Sequence, residues 1–325
     1  MKRGFCNRYG RSPIKAILLS MLIIFICASA FCGCVSAEDV SDWNSLKDAL
    51  TSSDATTDIK LTKDITATEG VTVAGIKTLD LNGKGIETTQ VININNDAKL
   101  TVINGTITNT QTDGSTGKVF TVDNGSLIIG DKCTIKMKDT TGFCTINVYG
   151  TDSEGITDYS SLIVENGAKI EGESGIIVRG NKTTDPTKAY GVNVNVNGNV
   201  TSTNTAITIN GVVSKTEGNV PEIIVGPKAV LDGPVYAAGY GKWTFQDGCS
   251  VTGNDALMIK SGEFTINGGT FIGNGEYKEP EPYGNGMYSS GAAIQVTSHD
   301  SYAGDVVLNI NGGRFTSENN SALLY

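Results

Sequence analysis

The chain has 325 residues, with 25 Lys and Arg against 34 Asp and Glu, a formal net charge of −9 and a pI near 4.7. A surface of that sign repels nucleic acid and anionic lipid, so neither is expected as a partner. Seven cysteines and a single histidine leave little material for a disulfide framework, a zinc site or histidine-based catalysis.

The first predicted element is an export signal. Lys2, Arg3, Arg8, Arg11 and Lys15 precede an apolar run that starts at Ala16. Small residues follow, and Val35-Ser36-Ala37 suits a peptidase that needs small side chains before its cut, so cleavage is expected after Ala37. Left uncut, the same run is about long enough to anchor the chain in a bilayer, the one route to a membrane. Cys32 and Cys34 sit in "FCGC", which lacks the aliphatic residue expected before a lipid-bearing cysteine. Residues 1–37 carry five basic residues and no acidic one, so their loss leaves 20 basic against 34 acidic and a net charge of −14. Cys133, Cys144 and Cys249 then remain, each in an apolar strand pattern that reads as a small buried hydrophobe. A Cys133–Cys144 bridge after export is left open.

One helix follows. "SDWNSLKDAL" places Trp43, Leu46 and Leu50 at three- and four-residue spacing, with Ser41 as the expected N-cap. After Ser53 the apolar period changes to two, and Val, Ile and Thr alternate between Gly and Asn punctuation. Short blocks recur: "VINI" at 91, "VFTV" at 119, "TINV" at 145, "GIIV" at 175, "AITI" at 206, "VYAA" at 235, "ALMI" at 256, "AIQV" at 293 and "ALLY" at 322. Their second and fourth positions are mostly apolar and share one strand face. Between the blocks runs a second phrase, in forms such as "LTVINGTITN", "LIVENGAKIEG", "WTFQDGCSVTG", "FTINGGTFIG" and "LNINGGRFTS". The unit is strand, turn, strand, Gly-rich bend, strand. One such unit cannot bury its own apolar face, but stacked copies can, which is the signature of a solenoid. Three strands per turn at irregular spacing predict an all-β, right-handed parallel β-helix with a short N-terminal capping helix. An antiparallel sandwich with a hairpin at each "NG" is the rival architecture. The expected core includes Ile207, Ile209, Leu257, Ile259, Ile294, Val296, Phe271 and Phe315. The domain plan is signal at 1–37, cap and first coil at 38–90, and β-helix at 91–325.

The stretch "WNSLKDALTSSDATTDIKLTKDITATEGVTVAGIKTLDLNGKGIETT" resembles the entry segment of pectin-lyase-like right-handed β-helix proteins, in particular the adhesin-like surface proteins of prokaryotes. The resemblance spans residues 41 to 325. It implies a helix that covers the first coil and a solenoid that starts around "LDLNG". It implies no activity, because this fold carries both enzymes and adhesins.

No catalytic constellation is legible. Hydrolases that resemble this fold place carboxylates in an "NTD" strand and a "DD" pair, and this chain has neither. A lyase of the fold needs Asp-held calcium and a basic proton acceptor. After the signal only Arg179 and Arg314 remain, in different coils. His299 beside Asp300 has no nucleophile or orienting group in view and reads as a solvated loop residue. The run "VNVNVNGNV" reads as polar residues alternating with buried valines. No catalytic residue, cofactor or metal ligand is therefore assigned.

Four insertions, at 150–161, 180–191, 211–222 and 297–305, fall at the same place in the repeat and should stack along one edge. Tyr159, Tyr190 and Tyr302 lie in them and are the candidate ligand-binding residues, since tyrosines beside carboxylates and amides suit sugar or protein contact. Candidate N-glycosylation positions are Asn104, Asn124, Asn181, Asn199 and Asn319. The last block, "ALLY", has no partner phrase after it. The expectation is a fragment of a longer surface protein or end-to-end self-association. The expected function is a secreted or cell-surface adhesin-like protein that binds a glycan or partner protein through one edge. A carbohydrate-active enzyme on the same fold is the alternative: carboxylates and a basic residue converging on one coil face would favour it.

Overall fold

A computed structural model describes residues 37–54, 56–111, 117–138, 143–150, 159–180, 191–209, 220–278, 286–297, 302 and 305–325. Residues from Ala37 onward form one compact unit. Strand pairing is parallel throughout the described residues. One sheet has 11 strands and the other 18. The first strand of the smaller sheet, Glu38–Val40, belongs to the cap, and the other ten each open a coil. Second and third strands of the coils share the larger sheet. In two coils they run on as single strands, Lys169–Arg179 and Asn199–Ile209. The fold is a parallel β-helix closed at its N-terminal end by one helix.

The capping helix, α1 (Trp43–Thr51), begins one residue later than expected. Asp42, not Ser41, is its N-cap: the Asp42 carboxyl accepts from Ser45 N at 2.9 Å. Asp42 holds the extended backbone an N-cap needs, and Ser45 is the third residue beyond it. Trp43, Leu46, Ala49 and Leu50 are buried against the first coil. Leu50 O accepts from Ala74 N at 2.9 Å and ties the helix to the coil beneath it.

The core is one column. Leu100, Leu127, Leu162, Val194, Ile223, Trp243, Phe264 and Leu308 stand in register down the first strands and point inward. Lys77 occupies the same row at the N-terminal end. It is buried, and its Nζ donates to Asp54 O and Thr57 Oγ1. The echoed "NGG" phrase is a turn between first and second strands. Its second glycine takes a left-handed backbone, with φ 96° at Gly269 and 116° at Gly313. Asn267 and Asn311, which precede these glycines, stack through a side-chain hydrogen bond of 2.9 Å. In "VNVNVNGNV" the valines are buried and Asn193 and Asn195 are exposed.

Of the expected core, Ile207, Ile209, Leu257, Ile259, Ile294, Val296 and Phe271 are buried, and Phe315 is half-buried against them. The blocks at 206, 235, 256 and 293 pair in parallel, neighbour to neighbour. One register differs from expectation. Val235 and Ala237, not Tyr236 and Ala238, align with Ile207 and Ile209. Gly233 (φ 138°) and Pro234 end the preceding turn early, so the strand starts one residue sooner.

All three cysteines of the folded unit are free and buried, so Cys133 and Cys144 are unbridged. Burial pushes the Cys133 and Cys144 thiols up to about 12 and Cys249 up to about 11. Only the thiolate reacts readily. Alkylation at pH 8, read by peptide mass at these positions, is therefore expected to be slow in the native protein and fast after denaturation. The raised values also mean that stability present below pH 9 falls as pH climbs through 9 toward 12. Rapid native labelling of Cys133 would contradict this placement.

Candidate functional site: a polar groove on the second-strand face

Outward positions of successive second strands form a straight row, because parallel in-register pairing stacks equivalent residues. Glu87, Thr108, Lys136, Glu171, Thr201 and Asp232 are such a row, each paired with the next. Five coil steps of about 4.8 Å make it about 24 Å long. Met137, Lys138, Gly172, Ser202 and Thr203 complete the lining of a groove of about 610 Å³. That volume is in the usual range for ligand sites, about 300–1,000 Å³.

Local sequence shapes the floor. The register shifts between Gly172 and Ser174, where the long strand bends from the second face to the third. A Cβ at Gly172 would lie 2.3 Å from Thr145 Oγ1, so only glycine keeps this corner low. Thr145 Oγ1 donates to Glu171 O at 2.9 Å and fixes the bend. The walls carry three carboxyls, two ammonium groups and hydroxyls. Lys136 stands opposite Glu171 in the register, yet among the described residues none of the five charged side chains forms an ion pair or hydrogen bond. Ser202 Oγ is buried and has no partner. The groove thus presents unpaired acceptors and donors in a line, with no aromatic ring among its lining residues. Such a surface offers hydrogen bonds rather than ring stacking.

The tyrosines expected to bind ligand lie elsewhere. Insertions do leave from one edge. Tyr149 pairs with Arg179, Val178 with Ile209, Ile209 with Ala237, and Ile259 with Val296, so the ends of these third strands stack. Tyr159, 45% exposed, sits where the chain re-enters the first-strand face. There it lines a shallow depression with Asp97, Lys99, Gly125, Ser126, Ser161 and Asn193. Tyr302 lies over the third-strand face. Its hydroxyl is 3.1 Å from that of Tyr236 and accepts from Gly286 N at 2.8 Å. Burial first, and then this contact, pushes the Tyr236 hydroxyl well up. Tyr159 and Tyr302 therefore do not share a patch. Tyr190, His299 and Asp300 lie outside the described residues.

Of the sequons, Asn199 and Asn319 are exposed, and Asn104 is half-buried with Nδ2 on Asp80 Oδ1. Asn124 is 5% exposed, in a left-handed turn (φ 57°). Asn181 lies outside the described residues. Among the described residues no group of three or more His, Cys, Asp or Glu is arranged to hold a metal ion, and no helix is long and apolar enough to cross a membrane.

No family model matches the chain, and no curated protein does. A solved structure described as "L. reuters 100-23 SRRP" is similar over 89% of this chain and 99% of that one, at 16% identity and a TM-score of 0.47.

Proposed function

We propose that this protein is an exported, adhesin-like surface protein that holds an extended, hydroxyl-rich polymer, a glycan, in the second-strand groove. The observation that carries the reading is the line of unpaired polar side chains from Glu87 to Asp232. A sugar ring is about as long as one coil step, so a chain lying along the solenoid axis meets a new side chain at each residue. An export signal over residues 1–37, as the sequence suggests, would put the groove outside the cell. Thr201 faces outward between Glu171 and Asp232, and Thr201→Arg would obstruct that part of the groove without touching the core. The purified protein is expected to bind a polysaccharide on a glycan array, and Thr201→Arg to weaken that binding at least tenfold, about 1.4 kcal/mol. Melting temperature should not change. Undiminished binding by Thr201→Arg would sink the groove.

A second reading, hydrolysis, draws on the carboxyls and lysines that share this one coil face. Glu171 and Asp232 flank Thr201 in the same outward row, their backbones two coil steps or about 9.6 Å apart, a spacing from which the two carboxyls need lean together only slightly. Inverting glycosidases hold their two carboxyls about 6.5–9.5 Å apart. If the groove hydrolyses its polymer, reducing ends should accumulate with the wild type and not with Glu171→Gln or Asp232→Asn. A polymer that binds and is never cut would leave adhesion alone.

A further inference from the structure

A second site, on the third-strand face, does not depend on the groove. Arg179 ends the strand Lys169–Arg179 and is register neighbour to Tyr149, the last residue of the strand Ile146–Tyr149. Its guanidinium carbon lies 5.2 Å from the centroid of the Phe143 ring and 5.7 Å from that of Tyr149. Lys118 Nζ lies 5.8 Å from the same Phe143 ring. All four side chains are half-buried. Asn147 Nδ2 donates to the Tyr149 hydroxyl at 2.7 Å and holds that ring in place.

The electrostatics of this corner are incomplete. Arg179 Nε is buried without a hydrogen-bond partner, and so is Asn147 Oδ1, on a side chain that is fully buried. Among the described residues no carboxyl reaches the guanidinium. The carboxyl nearest in register, Asp123, stands on the far side of Tyr149, two coils away. Among the described residues only ring faces hold the guanidinium, which leaves its outer fork of donors to match a carboxylate or a sulfate. The two rings, each with a cation over one face, offer their apolar edges to a pyranose.

We infer that Arg179, Phe143, Tyr149 and Lys118 form a binding site for a single acidic sugar, at the end or a branch point of a glycan. Arg179 takes the carboxylate or sulfate, and Phe143 or Tyr149 takes the ring. The site suits one acid group and not a polyanion. Beyond Lys118, the adjacent outward positions Thr121, Ile177 and Asp123 add no further cation along the coil axis, and the net charge of the chain repels a polyanion.

The test is calorimetry on the purified protein with four probes: sialyllactose, 3-sulfated lactose, plain lactose and oligogalacturonate. Sialyllactose or sulfated lactose should bind at least about tenfold tighter than lactose, and which of the two binds better names the acid group. The preference should shrink as salt rises. Arg179→Gln should erase it, and Arg179→Lys, which keeps charge and loses the fork, should retain part. Equal binding of lactose by the wild type overturns the proposal, whether or not the variants fold. So does an unchanged preference in Arg179→Gln, or oligogalacturonate as the tightest ligand. Thr201→Arg should leave this binding intact, which separates it from the groove.

Discussion

Replacing Phe271 by Ala is expected to cost about 3–5 kcal/mol of stability. Phe271 is fully buried in the strand Thr270–Gly273. Its ring stacks on Phe315 at 5.2 Å and meets Phe245 edge-on at 5.3 Å, and Phe245 in turn lies against Trp243. Truncation leaves a cavity that these rings cannot fill, because each is fixed by backbone pairing to its own coil. A solenoid couples mainly nearest neighbours, so the loss should be local. Hydrogen exchange should accelerate in Ser250–Gly253, Thr270–Gly273 and Arg314–Ser317 and not in the first coils. Phe271→Leu should cost less, since most of the volume remains. A measured loss under about 1 kcal/mol, the surface-site level, would refute the packing.

Much of the architecture could be read in the sequence because alternation and recurrence are the same physical fact. Parallel in-register stacking repeats each inward position, so Leu257 predicts Ile294 and Phe271 predicts Phe315. Failures came where a local residue overrode the pattern. Pro234 moved the start of the strand at Val235, turning Tyr236 outward toward Tyr302. Asp42 displaced Ser41 as cap because its carboxyl reaches Ser45 N. Lys77 was unreadable as a core residue, since its burial depends on acceptors from Asp54 and Thr57, a coil away.

The candidate sites were nearly invisible. Glu87, Lys136, Glu171 and Asp232 each appear as an ordinary polar partner in an apolar–polar alternation. Only the register places them in one line. Aligning the second-strand phrases by their outward positions would have found the row, whereas aligning the turns, where glycines dominate, hides it. Arg179 is legible as one of two arginines after residue 37, but Phe143 lies outside the recurring blocks and has no register until the strand Ile146–Tyr149 is placed.

The other large effect is expected at Asp255, which is fully buried just before the strand Leu257–Ile259. Its Oδ1 accepts from Ser290 Oγ at 2.7 Å and Ala292 N at 2.6 Å, and its Oδ2 accepts from Ser290 N at 2.7 Å. These bonds seat the return of the chain from the long insertion after Gly273 to the strand Ile294–Val296. The seat is tight: a Cβ at Gly273 would lie 2.2 Å from Ala292 O. The last coil holds the same segment from the other side, through Ser317 Oγ on Gly291 O and Asn320 Nδ2 on Ser290 O. Asp255→Ala would strand two buried backbone N–H groups and a hydroxyl. The expected cost is about 3–5 kcal/mol, the scale for removing one partner of a buried charged network. Asp255→Asn should cost less, because one oxygen still accepts while the new NH₂ faces a donor. Hydrogen exchange should rise across 286–297 and at Leu323–Leu324, with the coils before Lys169 unchanged. If residues 286–297 stay protected in Asp255→Ala and the cost is under about 1 kcal/mol, the carboxyl does not hold the return.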